Sequence, residues 1–97
     1  MEIKKTAVAG TLESSDIQII IDPSQTGIEI QLDSDVKKEF GEQIETVIRQ
    51  VLATNHIEHA KVKAVDKGAL DCVIKARTLA AINRAAGIAD QPVWEVL

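Results

Sequence analysis

Residues 16–54 read DIQIIIDPSQTGIEIQLDSDVKKEFGEQIETVIRQVLAT and change hydrophobic period once. Ile17, Ile19 and Ile21 alternate with Gln18 and a further isoleucine, and apolar residues alternate with polar ones over 28–32, which is the period of β-strands. Residues 23–27 between these runs are turn formers, so the sequence predicts an antiparallel hairpin.

From Asp35 to about Thr54 apolar residues recur every three or four positions, which predicts an amphipathic helix. The predicted inner stripe consists of Val36, Phe40, Ile44, Val47 and Val51. Asp33 or Ser34 is expected to cap the helix start. Gly41 is expected to allow close packing against the sheet.

The second half of the chain predicts one more strand and one more helix. Apolar residues alternate over 60–65, and turn residues follow at 66–68. The last helical stripe, ended by Gly87, contains Cys72, Ala76, Leu79, Ile82 and Ala86. Leu70 to Ile74 could instead form a fourth strand, since a short apolar run fits either state.

These elements predict an α+β fold in the order β-β-α-β-α. A small sheet of three to four strands, made of the hairpin and a further strand, is expected to be covered on one face by two helices. Residues 1–97 form a single domain, because the length leaves room for one core. Residues 1–15 are expected to be a loop or arm with at most a short strand near Thr6 to Ala9, and residues 88–97 a C-terminal tail.

Composition excludes several functional classes. A net charge of −4 is the wrong sign for a protein that binds nucleic acid. The single cysteine, Cys72, cannot form an internal disulfide and is expected to be a small core residue. His56 and His59 lack the further ligands that a metal site needs. No apolar run is long enough to span a membrane, so a cytoplasmic protein is expected.

No motif for intrinsic catalysis is present, and no catalytic residue is predicted. The pair Asp33-Ser34 looks superficially like the modified Asp-Ser of helical acyl carrier proteins, but helix capping explains it better. The hydroxyl pair Ser14 and Ser15 is different, since it lies in an accessible loop before the first clear strand.

Two blocks of sequence resemble the family of citrate lyase acyl carrier proteins, the gamma subunits of that complex. The first is AVAGTLESSD at residues 7–16, followed by the isoleucine-rich strand. The second is DKGALDC at residues 66–72 with KAR at residues 75–77. The Phe-Gly pair of the first helix and PVWE near the end also fit, so the resemblance covers essentially the whole chain.

The resemblance implies that Ser14 carries a 2'-(5''-triphosphoribosyl)-3'-dephospho-coenzyme A arm through a phosphodiester (phosphoribosyl dephospho-CoA). The family often has glycine after the modified serine, whereas this chain has Ser15, so chemistry alone leaves two hydroxyls in competition. Glu13 and Asp16 are either a charged handle for a basic groove on the prosthetic-group transferase or simply solvated loop charges.

By the same resemblance, the thiol of the arm holds acetyl and citryl thioesters. The alpha subunit, an acyl transferase, exchanges acetyl for citrate. The beta subunit, a citryl lyase, releases oxaloacetate. The chain itself would be a non-catalytic carrier.

Two alternatives remain at this stage. One is the carrier subunit of a malonate decarboxylase, which shares the prosthetic group. The other is a small adaptor domain that binds a metabolite or a protein, in which Ser14 is merely a loop residue.

Overall fold

Four strands and two helices make up the part of the chain that this computed structural model describes, residues 2–34 and 37–87. In chain order they are β1 (Ala7–Ala9), β2 (Ile17–Asp22), β3 (Ile28–Ser34), α1 (Lys37–Thr54), β4 (Ala60–Asp66) and α2 (Asp71–Ala85). The predicted order β-β-α-β-α is confirmed, with β1 added where the sequence allowed a short strand. No described helix is both long and apolar enough to cross a membrane. The predicted tail lies outside the described residues.

The four strands form one mixed sheet in the order β1-β2-β4-β3. β4 pairs antiparallel with β2 and parallel with β3, so that Val62 lies between Ile21 and Ile30. The predicted hairpin of β2 with β3 is therefore wrong, because β4 separates them. Strands joined through a helix, as β3 and β4 are by α1, usually pair in parallel. In β4 every second residue is buried, which suits the centre of the sheet, whereas β3 has only partly buried and exposed residues, which suits an edge.

Both helices cover one face of the sheet, as predicted. α2 packs on β1 and β2, α1 packs on β3, and the two helices contact each other. The strand residues beneath them are aliphatic, and in β2 they are the fully buried Ile17, Ile19 and Ile21. Val8 and Lys63 on the opposite face are exposed. The apolar residues of the core are all aliphatic in the part of the chain that the structure describes.

The inner face of α1 differs from the predicted stripe. Its buried apolar side chains are Ile44, Val47, Ile48 and Leu52. Phe40, predicted to be buried, is 52% exposed and lines an open groove with Leu70. Gly41 is buried, in keeping with the close packing expected of it. Ser34 ends β3, and its hydroxyl donates to Asp66 Oδ2 at 2.8 Å. The predicted capping of the helix start by Asp33 or Ser34 involves residues 35–36, which lie outside the described residues.

The second helix is also rotated relative to its predicted stripe. Its buried residues are Ile74, Thr78, Ala81, Ile82 and Ala85. Cys72 is exposed, so the prediction of a core cysteine is wrong. The Thr78 hydroxyl donates to the Ile74 carbonyl at 2.7 Å, which lets a polar residue occupy the core-facing side. Leu70 precedes the helix as its N-cap, and residues 71–74 are helical rather than a strand.

Candidate functional site

Ser14 lies in the loop between β1 and β2, residues 10–16, which we call the serine loop. Both Ser14 and Ser15 are exposed. Neither hydroxyl has a hydrogen-bond partner among the described residues, whereas the backbone around them is bonded at several points. The loop therefore presents two unengaged hydroxyls to solvent from an anchored backbone.

Gly10 lets the two ends of the serine loop pass close together. Its φ is +88°, and a Cβ at this position would lie 1.8 Å from the carbonyl oxygen of Ile17. No other residue type fits such a contact without moving the backbone. Gly10 is thus required for close approach, and not only for the backbone freedom that a loop needs.

The carboxylate of Asp16 holds the serine loop together. Its Oδ2 accepts hydrogen bonds from the Thr11 amide at 3.2 Å and the Thr11 hydroxyl at 2.7 Å. Its Oδ1 accepts from the Ile17 amide at 2.7 Å. The Glu13 amide in turn donates to Thr11 Oγ1 at 3.2 Å. One side chain thereby fixes both ends of the loop, as aspartates in turns often do.

Arg77 of α2 grips the same carboxylate through both of its oxygens. Arg77 Nε donates to Oδ1 at 3.0 Å and Nη2 donates to Oδ2 at 2.9 Å, which is a bidentate pair. The hydrogen bonds from Arg77 and Thr11 hold the pKa of Asp16 well below its usual range. The Asp16 side chain is only 13% exposed. Asp16 therefore cannot be a free charged handle for a partner, and only the exposed Glu13 retains that hypothesis.

The other side of the serine loop rests on the turn between β4 and α2. The Ser15 amide donates to the Lys67 carbonyl at 2.8 Å, and the Lys67 amide donates to the Asp16 carbonyl at 2.8 Å. Asp66 shapes this turn, since its buried carboxylate accepts from the amides of Gly68 at 3.1 Å and Ala69 at 3.0 Å. The serine loop is therefore hydrogen-bonded to a turn whose own backbone amides are bonded by the buried carboxylate of Asp66.

Ser15 has a φ of +66°, in the left-handed region that favours glycine. This is the position after Ser14, where the family resembled by the sequence often has glycine. The left-handed backbone at Ser15 is therefore one that the family's glycine would adopt easily, and Ser14 is the exposed residue that precedes it.

The other candidate residues do not assemble a site. His56 and His59 are exposed and lie around a shallow groove near Pro23. Across the described ranges, no three His, Cys, Asp or Glu side chains come together in a way that could hold a metal ion. Cys72 is exposed near the start of α2.

Arg77 is the residue of the serine-loop region whose contact sequence reasoning missed. It lies 61 positions from Asp16, so no local period or turn pattern connects them. The available signal was that the two blocks of family resemblance end in opposite charges, Asp16 and Arg77. The structure shows that these two charges form an ion pair.

Comparison with known proteins identifies the family. Residues 4–85 match a family of acyl carrier proteins described as the malonate decarboxylase delta subunit. The chain is 65% identical to the citrate lyase acyl carrier protein of Lactobacillus helveticus and 62% identical to that of Oenococcus oeni. Each alignment covers 100% of both chains.

The fold also matches a solved structure. A chain of a Pseudomonas malonate decarboxylase hetero-tetramer, crystallised with malonate, superposes with a TM-score of 0.75 at 18% identity, over 86% of each chain. At that identity the likeness shows a shared fold alone. The relatives that match along their full length are named as carriers and not as catalytic subunits. The resemblance drawn from the sequence is thus confirmed, and the chain belongs to the family of citrate lyase acyl carrier proteins.

Proposed function

We propose that this chain is the acyl carrier subunit of a citrate lyase complex and that Ser14 is the residue to which its prosthetic group is attached. The observation that carries the site assignment is an exposed and unengaged pair of hydroxyls, Ser14 and Ser15, on a backbone held by Asp16 and Lys67. Of the two, the resemblance of residues 7–16 to the family pattern favours Ser14. A transferase can reach such a hydroxyl without unfolding the sheet.

The serine loop fits a long, charged arm. Ser14 faces solvent, so attachment through its oxygen displaces no core residue and breaks no hydrogen bond among those described. The group we propose is phosphoribosyl dephospho-CoA, joined by a phosphodiester. When bound, it supplies a terminal thiol that holds acyl groups as thioesters. The protein contributes attachment, presentation and docking.

Tethering gives this arrangement its chemical advantage. An acyl group held on one carrier can reach two different active sites at a high effective concentration, instead of diffusing into solution. The partners we propose are the alpha subunit, the beta subunit and the prosthetic-group transferase, in the cytoplasm. Full-length relatives at 60–65% identity favour citrate lyase over malonate decarboxylase, to which the likeness is distant.

The site assignment is tested by mass. The chain is co-expressed with a prosthetic-group transferase and the enzyme that supplies its cofactor. Intact mass and peptide fragmentation then locate the added group. We expect one addition on Ser14 in the wild type and none in Ser14→Ala. Because this is an exposed loop substitution, we expect its stability to change by no more than about 0.5 kcal/mol.

Ser15→Gly is the matched control, because it removes the competing hydroxyl and glycine tolerates the left-handed backbone at this position. This variant is expected to be modified like the wild type. An addition on Ser15, or a Ser14→Ala chain that still gains the group, would overturn the assignment to Ser14. A wild-type chain left unmodified by a transferase that is active on a known carrier would contradict the carrier function itself.

A further inference from the structure

The bidentate contact of Arg77 with Asp16 joins the two parts of the chain that carry the family resemblance. Arg77 projects from α2, and Asp16 closes the serine loop 61 positions earlier. The guanidinium bonds both oxygens of a carboxylate that also accepts the amides of Thr11 and Ile17. The orientation of this one carboxylate therefore depends on α2 and determines the shape of the loop.

We propose that Arg77 is a positioning residue: through Asp16 it holds the serine loop in the conformation that the prosthetic-group transferase recognises. This inference rests on the proposed function of Ser14. Arg77 itself does not touch the Ser14 hydroxyl among the contacts described. It acts by keeping Asp16 in the plane in which the Thr11 and Ile17 bonds can form.

Arg77 is expected to matter because it raises the fraction of chains whose serine loop has the shape that the transferase recognises. When only a fraction of a substrate protein is in the recognised shape, its apparent affinity falls by that fraction. Loss of two charge-assisted hydrogen bonds to one carboxylate is enough to change a local equilibrium by about tenfold or more. We expect the effect mainly in the KM for the carrier, because a loop already bound in the right shape reacts normally.

Arginine is needed for its geometry as well as its charge. Its planar fork meets both carboxylate oxygens, whereas a lysine ammonium is a point charge on a flexible stem. Arg77→Lys should therefore retain part of the effect. Arg49 provides the control, since its pair with Glu45 at 3.7 Å lies on the exposed side of α1. Arg49→Ala changes the net charge equally without touching the loop.

The kinetic test measures transfer of the prosthetic group to purified apo chains. Arg77→Ala is expected to raise the KM for the carrier about tenfold or more with little change in kcat. The KM of Arg77→Lys is expected to lie between those of Arg77→Ala and the wild type. The KM of Arg49→Ala is expected to equal that of the wild type. Equal KM values for the wild type and Arg77→Ala would overturn the proposal.

A double-mutant cycle separates positioning from direct contact with the transferase. If Arg77 acts through Asp16, the KM of the variant with both Asp16→Ala and Arg77→Ala will be no higher than the KM of Asp16→Ala alone. Additive losses would show that Arg77 contacts the enzyme independently, which contradicts the positioning role.

Hydrogen exchange tests the same inference without the transferase. In Arg77→Ala the amides of Ser15 and Ile17 should exchange about tenfold faster or more, while amides in the centre of β4 keep their protection. Unchanged exchange at the amides of both Ser15 and Ile17 would contradict the proposal, and so would a loss of protection throughout the sheet. Because this readout needs no modification, it tests the hold of Arg77 on the serine loop separately from the proposed function of Ser14.

Discussion

The two loops on either side of β2 have similar compositions and very different anchorage. Residues 10–16 read GTLESSD and residues 23–27 read PSQTG, so each loop has one glycine and two or three residues with a hydroxyl group. In the second loop, which we call the β2–β3 turn, the Thr26 amide bonds Ser24 Oγ at 3.2 Å within the turn. Its contact with another strand is the Ala60 amide on the Gly27 carbonyl at 3.0 Å.

The serine loop, in contrast, is tied to two distant parts of the chain. Arg77 bonds the side chain of Asp16, and Lys67 forms two backbone hydrogen bonds with the loop, one with Ser15 and one with Asp16. A composition of small polar residues therefore does not distinguish a functional loop from an ordinary turn. The contacts made with residues far along the chain distinguish them.

The largest expected contrast is between glycines at the two loops. Gly10→Ala should destabilise the protein by about 3 kcal/mol, because the new Cβ meets the Ile17 carbonyl and the backbone is left-handed. Gly27→Ala should cost about 1 to 2 kcal/mol, since its φ of +99° is also unfavourable but nothing lies within 4 Å. Urea denaturation of both variants measures the difference. Equal losses would mean that the close approach at Gly10 is unimportant.

A smaller contrast is expected in the acid dependence of stability. The pKa of Asp16 is lowered in the fold, so its carboxylate form is favoured by folding. That contribution is complete above the unfolded pKa of about 3.9 and is lost as pH falls towards the folded pKa. Asp16→Asn should therefore be less stable than the wild type at pH 7, and the difference should shrink below about pH 4.

Asp33→Asn is the charge-matched control for this experiment, because Asp33 is exposed on β3 and lies outside the serine loop. Chemical denaturation across this pH range gives the stability of each variant. A gap between wild type and Asp16→Asn that stays constant as pH falls would show that the ion pair with Arg77 does not contribute through the charge of Asp16.

The smallest effect is expected at Ser15. Ser15→Gly should stabilise the protein by about 0.5 kcal/mol. Glycine removes the free-energy cost of the left-handed backbone at this position, and this gain exceeds the cost of the extra entropy that glycine gives the unfolded chain. Ser24→Gly in the β2–β3 turn should destabilise instead, since Ser24 has no positive φ and its hydroxyl accepts from Thr26. Thermal unfolding of both variants checks the signs. A destabilised Ser15→Gly would contradict the strain assigned to this position.

Local patterns predicted the secondary structure well. Alternation identified β2, β3 and β4, and three- to four-residue spacing identified both helices. The resemblance of residues 7–16 to a carrier family also singled out Ser14, which the structure places in an exposed loop. The predictions of strands and helices succeed because hydrophobic period and turn chemistry are properties of neighbouring residues.

Which face of each helix is buried was less predictable. Phe40 and Cys72 fit the helical spacing but are exposed, whereas Ile48 and Ile74 are fully buried. More than one apolar stripe can be drawn on each helix, and packing against the sheet selects one of them. The choice depends on which strand lies beneath the helix, which the helix sequence does not contain.

The amino-acid sequence alone established the order of elements, the aliphatic core and the loop that carries Ser14, since each follows from residues close together in the chain. The place of β4 between β2 and β3 became visible only in the folded molecule, as did the grip of Arg77 on Asp16. Both depend on contacts between distant segments, whose formation is governed by the packing of the whole core. The contact between Arg77 and Asp16 also ties the serine loop to α2.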